Sequence, residues 1–345
     1  MYERDNYMKQ SFLKKSFTAL LSGIILMSGS GCSNIINMKS EDNKIHVVTT
    51  LFCYYDFARA IIGDTENIDL TLLLSPGMES HSFEPTPSDI IEIQQADVLL
   101  YNGGHMEYWV QEILDANKNK NNLAICMMDY TSLLEEETDN VITPHNHEHC
   151  EDESHHHDDD EHNHEEEHEI EYDEHIWSSP VIAINLVETI CDAISEADIE
   201  NSDIYHKNAE AYIKELQTLD NDFRSVIAKG KRDTLLFADK FPMLYFFKEY
   251  GLKYYAAFAG CSTDTEPSSA TISNMIEKTK EESIPVVYYF EVSNPAVAEI
   301  ISEETDAVPY VFQSCHTITQ DDFNNGETYI SLMKRNLEAL KIGLQ

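Results

Sequence analysis

Hydrophobic and polar positions along this chain follow two rhythms that trade places repeatedly. Four runs are apolar almost throughout: KIHVVTTLF (44–52), DLTLLLS (69–75), ADVLLYN (96–102) and LAICMMD (123–129). Between them, near 55–63, 87–95 and 106–116, apolar residues return every three or four positions. The first rhythm predicts strands buried on both faces, as in a parallel sheet, and the second predicts amphipathic helices. The alternation resumes with TLLFAD (234–239), LKYYAAF (252–258), PVVYYFE (285–291) and VPYVFQ (308–313), with helices near 242–250, 268–282 and 294–304 and a closing helix over about 326–344. The pattern predicts an α/β protein of two (β/α) lobes with mainly parallel sheets.

Between the lobes the pattern changes. From Tyr205, apolar residues fall at Ala209, Tyr212, Leu216, Leu219, Phe223 and Val226, one continuous stripe on a helix. The expected divisions are therefore an N-terminal lobe over 44–200, a linking helix over 201–229 and a C-terminal lobe over 230–345. No Pro or Gly interrupts the linking stretch, so the helix should act as a stiff rod and limit hinging. The stripe lasts only about three heptads, which favours packing across both lobes over a coiled-coil dimer seam, and predicts a monomer.

Ahead of the first strand, Lys9, Lys14 and Lys15 precede an apolar stretch from Phe17 to Met27 and the small residues Ser28-Gly29-Ser30-Gly31. This is the layout of a secretory leader over 1–31, followed by a tether over 32–43. Cys32, directly after the small residues, resembles the lipidated cysteine of a bacterial lipoprotein, although Gly29 stands where Leu is usual. An uncleaved anchor is the alternative. Either reading places the protein outside the cytoplasm, tethered to the bacterial cell membrane.

Charge narrows the partners. The formal net charge is −40, and no Lys or Arg occurs between Lys120 and Lys207, which excludes nucleic acid and favours cations. Of the thirty residues 145–174, fifteen are Asp or Glu and nine are histidine: His145, His147, His149, His155, His156, His157, His162, His164 and His168. No packed core could desolvate so many charges, and imidazole suits zinc and its neighbours. The segment is expected to be a solvated loop that collects divalent metal; an acidic linker with incidental histidines is the alternative. His164-Glu165-Glu166-Glu167-His168 matches the HExxH pattern of zinc peptidases, but chance produces such a match in so biased a run, and no apolar helix surrounds it. No enzymatic activity is expected. Besides Cys32, the six cysteines 53, 126, 150, 191, 261 and 315 form no dense framework and allow one or two bridges at most.

One loop stands out. In Pro76-Gly77-Met78-Glu79-Ser80-His81-Ser82-Phe83-Glu84-Pro85-Thr86-Pro87, His81 follows a strand and precedes a helix, at the carboxyl edge of a parallel sheet where open α/β folds hold ligands. His175 sits in a comparable setting, Asp173-Glu174-His175-Ile176-Trp177-Ser178-Ser179-Pro180.

The strings GMESHSFEPTPSDI, ADVLLYNGG followed by Glu107 and Trp109, DEHIWSSP and TYISLMKRNLEAL resemble the metal-binding lipoproteins of ABC transporters for zinc and manganese, from about Lys44 to the C-terminus. The resemblance implies two α/β lobes bridged by one rigid helix, a metal cleft between them, and delivery of the ion to an ABC permease in the membrane. Zinc-specific members often carry a His- and acid-rich loop directly before the second ligand motif, as at 145–174 here. His81 matches the first family histidine and His175 the second. Where the third ligand belongs, the chain reads Phe237-Ala238-Asp239-Lys240-Phe241-Pro242 without histidine. Asp239 is the nearest oxygen ligand there, while alignment on Tyr250-Gly251-Leu252 sets Lys240 opposite the family residue. At the fourth position, Gln313-Ser314-Cys315-His316 offers His316, as a ligand or as a supporting histidine. The implied set is His81, His175, His316 and Asp239, with Glu266 or a cysteine as the next candidates. It leans toward Zn2+ and leaves Mn2+ open. Cys261 and Cys315 are expected to form a disulfide, with thiolate ligation of metal as the alternative. A surface metal buffer or adhesin without a permease, or a zinc metallopeptidase, are the competing functions.

Overall fold

The computed structural model describes residues 44–117, 122–142, 171–260, 262 and 266–345. Two four-stranded sheets, wholly parallel, form its frame. In the first the order is β2 (Ile68–Leu72), β1 (Ile45–Thr49), β3 (Val98–Tyr101), β4 (Leu123–Cys126). In the second it is β6 (Lys253–Ala256), β5 (Thr234–Phe237), β7 (Val286–Phe290), β8 (Val308–Phe312). Both lobes are thus α/β, and each repeats one winding: the chain steps outward from its first strand, then crosses back to the other side. Between β1 and β3, and between β5 and β7, the winding reverses, and the crevice above such a reversal is where parallel sheets accept ligands.

Helices α1 (Phe52–Ile62), α2 (Pro87–Gln95) and α3 (Tyr108–Ala116) belong to the first lobe. After them come α4 (Pro180–Ala197) and α5 (Ser202–Ile227). The second lobe adds α6 (Leu244–Tyr250), α7 (Ser269–Glu281), α8 (Ala296–Glu304), the short α9 (Gln320–Asn324) and α10 (Tyr329–Gly343). At 26 residues, α5 is about 39 Å long. It buries Tyr205, Ala209, Tyr212, Leu216, Leu219 and Phe223 and leaves Val226 only half-buried.

One large apolar core runs through both lobes, and each lobe has a smaller cluster besides. The large core joins Phe57, Trp177, Tyr205 and Leu216 to Phe223, Phe237, Phe312 and Tyr329. At its centre the buried carboxylate of Asp56 on α1 accepts from Tyr212 on α5 (2.9 Å), from the Tyr329 backbone N–H on α10 (2.9 Å) and from Arg59 (2.5 Å). One charged group with three donors pins three helices, since leaving any of those lone pairs unmet in the core would be costly.

The element boundaries depart from the sequence expectation where the apolar pattern does not break. Strand β1 ends at Thr49 and α1 starts at Phe52, within a stretch, Thr49 to Tyr54, whose residues are all buried, so burial does not mark the change. Strand β4 stops at Cys126, and Met127–Tyr130 is a 3-10 turn. The closing helix starts at Tyr329, where the Thr328 hydroxyl accepts from the Ser331 backbone N–H (3.0 Å), and α9 has its own cap, Thr319. The acidic loop also ends earlier than residue 174. Tyr172 bridges Glu135, and the Asp173 backbone N–H donates to Leu134 O (2.9 Å), so 172–174 belong to the folded body. The nine loop histidines 145–168, Cys32, Cys150 and Cys261 lie outside the described residues.

Candidate metal centre

The loop after β2 is built to hold His81 still. Gly77 turns it with φ +84°, and its N–H donates to Ile318 O (2.7 Å), tying the loop to the second lobe. Downstream, Thr86 and Asp89 form a reciprocal capping box on α2 with Pro87 in the first turn. His81 lies between these fixed ends in the 3-10 turn Ser80–Ser82.

His175, about 1% exposed, presents Nε2 to Nε2 of His81 at 3.2 Å. Two nitrogens held about 2.0–2.1 Å from one tetrahedral zinc stand about 3.4 Å apart, so this spacing is that of two ligands on a shared ion. On the far side of the ring, Nδ1 and the His175 backbone N–H both face Asp173 Oδ1, at 3.2 and 2.9 Å. That carboxylate holds the proton on Nδ1 and leaves the Nε2 lone pair for metal. Burial alone would lower the His175 pKa, but Asp173 outweighs it and the ring lies above its ordinary value. His81 goes the other way: burial, then His175 and His316, push it down to about 3.

The peptide around His175 is anchored from both lobes. Asn102 Nδ2 donates to Glu174 O (2.9 Å), and Tyr245 donates to Asp173 O (2.8 Å). The Glu174 carboxylate accepts the backbone N–H groups of His105 and Met106. Gly104 makes this possible. Its φ of 76° and ψ of −167° suit glycine alone, and a Cβ there would run into the Glu174 carboxyl. Gly104→Ala should therefore destabilise the metal-free protein by about 1–3 kcal/mol or more, lowering its thermal midpoint; an unchanged midpoint would show that the turn tolerates a side chain.

His316 follows β8 from the second lobe. Its Nδ1 lies 2.8 Å from Ser314 Oγ, whose hydroxyl donates to Glu291 Oε1 (2.6 Å), so the network again leaves Nε2 unprotonated. That Nε2 is buried without a hydrogen-bond partner and lies 3.6 Å from Glu79 Oε1. An orphaned, unprotonated imidazole nitrogen in a cleft is a lone pair free to accept a hydrogen bond or to bind a cation. Burial pushes the ring down to about 4, and pushes the supporting Glu291 up to about 7.

Asp239 lies on the cleft wall after β5, but its oxygens are engaged: Oδ1 accepts the Lys240 N–H (2.8 Å) and Oδ2 the Phe290 N–H (3.1 Å). Its carboxylate fastens the reversal between β5 and β7. Glu79, a cleft carboxylate that the sequence did not single out, has oxygen lone pairs to spare. It accepts only a long bond from the His81 N–H (3.4 Å) and faces His316. Burial raises its pKa, but His316, His81 and Lys240 outweigh that and bring it below the ordinary carboxylate range. Nothing in its spacing distinguished it within a loop already rich in polar residues. Glu266 lines the same cleft. Cys315, expected in a bridge with Cys261, is instead a free thiol, fully buried with Cys53 in the core shared by the lobes. Its φ of +63° accompanies a side chain that packs inward instead of facing the cleft. Among the described residues no three His, Cys, Asp or Glu side chains are already arranged to hold a metal ion. The centre is a ligand-spaced pair with a third imidazole and a carboxylate beside it.

Comparison with known proteins gives the family. Residues 47–343 match the family model described as zinc-uptake complex component A, periplasmic (ZnuA). The chain is 34% identical over 318 residues to the high-affinity zinc uptake system protein ZnuA of Bacillus subtilis, covering 91% of this chain and 93% of that protein. It is 33% identical over 331 residues to the zinc-binding lipoprotein AdcA of Streptococcus pneumoniae, covering 95% of this chain but only 60% of AdcA, so it spans about 60% of that relative's length. The Zn(II)-bound ZnuA-like domain of AdcA superposes with a TM-score of 0.68 at 31% identity, covering 87% of this chain and 99% of the domain. The metal-dependent lipoprotein YcdH of B. subtilis gives 0.69 at 31% identity, with the same coverage. Since the match runs through both lobes and every loop that carries the three imidazoles, the chain belongs to the ZnuA family.

Proposed function

We propose that this protein is the extracytoplasmic binding component of an ABC importer, capturing Zn2+ between its lobes and delivering it to a membrane permease. The observation that carries the reading is the pair of Nε2 atoms of His81 and His175, 3.2 Å apart, with the orphaned Nε2 of His316 opposite. His81, His175 and His316 are the nitrogen ligands, and Glu79 is the oxygen that closes the set. Asp239 serves as scaffold. Three imidazoles favour zinc over manganese, which takes a larger share of oxygen. Because the lobes share one core and α5 spans them, capture draws His316 and Glu79 toward the histidine pair by side-chain and loop movement, with little lobe swing. Cys32 carries the lipid that tethers the protein, which works as a monomer.

The nine histidines of 145–168 act as a weak collector, and the cleft as the tight site, since its ligands lose less freedom on binding. Deleting 145–168 should leave one tight zinc equivalent in calorimetric titration and remove the weak ones. The deletion stops short of Tyr172, Asp173 and Glu174, which support His175. Loss of the tight equivalent would overturn the division of labour, and absence of any tight equivalent in the full chain would overturn the zinc reading itself.

A further inference from the structure

The cleft is much larger than its proposed ion. Its volume is about 610 Å³, in the range of small-molecule sites at about 300–1,000 Å³, whereas an ion held by four side chains replaces little more than one water, about 30 Å³. The extra space lies on the second lobe, walled by Phe258, Ile272, Val297 and Ile300. Ile300 is 42% exposed, and Phe258, Ile272 and Val297 are only half-buried, so this apolar wall is uncovered.

Lys240 stands in the same cleft. It forms no ion pair among the described residues, because its neighbour Asp239 spends both oxygens on backbone N–H groups. Its charge is felt at His81, His316 and Glu79. An ammonium facing a cation site opposes the ion, unless an anion arrives with it. An anion would meet what the wall offers: a positive charge, apolar surface and a coordination position that three neutral imidazoles leave open.

Building on the zinc reading above, we infer that the cleft takes zinc together with a small carboxylate-bearing chelator of amino-acid or hydroxycarboxylate size. A donor atom of the chelator fills the fourth coordination position in place of Glu79, its carboxylate pairs with Lys240, and its body covers Phe258, Ile272 and Val297. No bond other than the metal–ligand contacts is made or broken.

The test uses the full chain with zinc buffered at fixed free concentration below one equivalent, with and without L-histidine or citrate, and with acetate as a non-chelating control. Zinc alone should bind. Histidine or citrate should tighten it about tenfold or more, as a charge-assisted contact would, and should remain with the protein one to one with zinc after gel filtration, read by mass spectrometry. Lys240→Met should strengthen binding of zinc alone by removing a like charge, and should abolish the gain from either probe. If neither probe tightens binding at fixed free zinc, or the gain survives in Lys240→Met, the inference fails while the zinc reading stands. If zinc alone fails to bind tightly, the earlier reading fails instead.

Discussion

His175→Ala removes the tight zinc equivalent. Apparent zinc affinities of structural four-ligand sites correspond to about 10–16 kcal/mol, so one ligand of four carries roughly 3 kcal/mol, a loss of about two orders of magnitude. At His175 the loss should be larger still, because removing the ring also strips the buried Asp173 of its imidazole contact and leaves it the backbone N–H of residue 175. His81→Ala and His316→Ala should each cost about two orders. The carboxylates separate the two candidate oxygens. Glu79→Gln should weaken zinc by about a hundredfold if it ligates, while Asp239→Asn should leave affinity close to the parent's and lower the thermal midpoint, since Asp239 holds two backbone N–H groups. Competition titration against a zinc chelator measures all five. The reverse order for Glu79 and Asp239 would return Asp239 to the ligand set, and parental affinity in His316→Ala would make that ring a support. Zinc accumulation by starved cells that depend on the protein should fall in the same order.

Much of this was legible because parallel sheets write themselves plainly. Strands buried on both faces leave near-continuous apolar runs, such as VLLY in β3 and VVYYF in β7, and a ligand-bearing loop must follow their carboxyl ends. His81, His175 and His316 could be picked out on that logic and by resemblance. What could not be read is which polar atoms have already spent their hydrogen bonds. Asp239 and Glu79 are both acidic residues in loops after strands, and only resemblance at the third ligand position favoured Asp239. Only the fold reveals that Phe290 and Lys240 donate to the first and little donates to the second. The direction of Cys315 was hidden for a related reason, since a positive φ at a residue other than glycine reverses the expected side-chain face.

The supporting layer has the same form in both lobes. In the first, buried Glu107, pushed up to about 7 by burial, accepts the N–H groups of Asn102 and Gly103, and Asn102 in turn holds the Glu174 carbonyl beside His175. In the second, half-buried Glu291 accepts the Ser314 N–H and hydroxyl, and Ser314 orients His316. In each lobe a chain of hydrogen bonds thus runs from a carboxylate to the backbone or ring of the cleft histidine. With Asp173 fixing the His175 tautomer and Ser314 orienting His316, these chains hold the rings in place in advance, so the ordering cost is met in folding and not on metal capture.

That arrangement predicts an unusual acid response. Zinc needs neutral imidazoles, and three ordinary histidines would each have to lose a proton below about pH 6.5. Here burial and mutual repulsion hold His81 down to about 3, and burial holds His316 down to about 4, so both rings are already neutral across the mildly acidic range. Only His175, raised by Asp173, carries a proton that the ion must displace. The sign follows: below the raised pKa of His175, zinc binding releases one proton, and affinity falls about tenfold for each pH unit. Between pH 6 and pH 5 the loss should be about tenfold, against roughly a thousandfold for three unperturbed rings, and the slope should steepen only near pH 4 as His316 begins to protonate. Calorimetry in two buffers of different ionisation heat counts the protons, and chelator competition from pH 7.5 to 5 gives the slope. One proton per ion at pH 5.5 is the expected result. Three protons there would mean that the cleft does not shield its histidines, and none would mean that His175 is not a ligand.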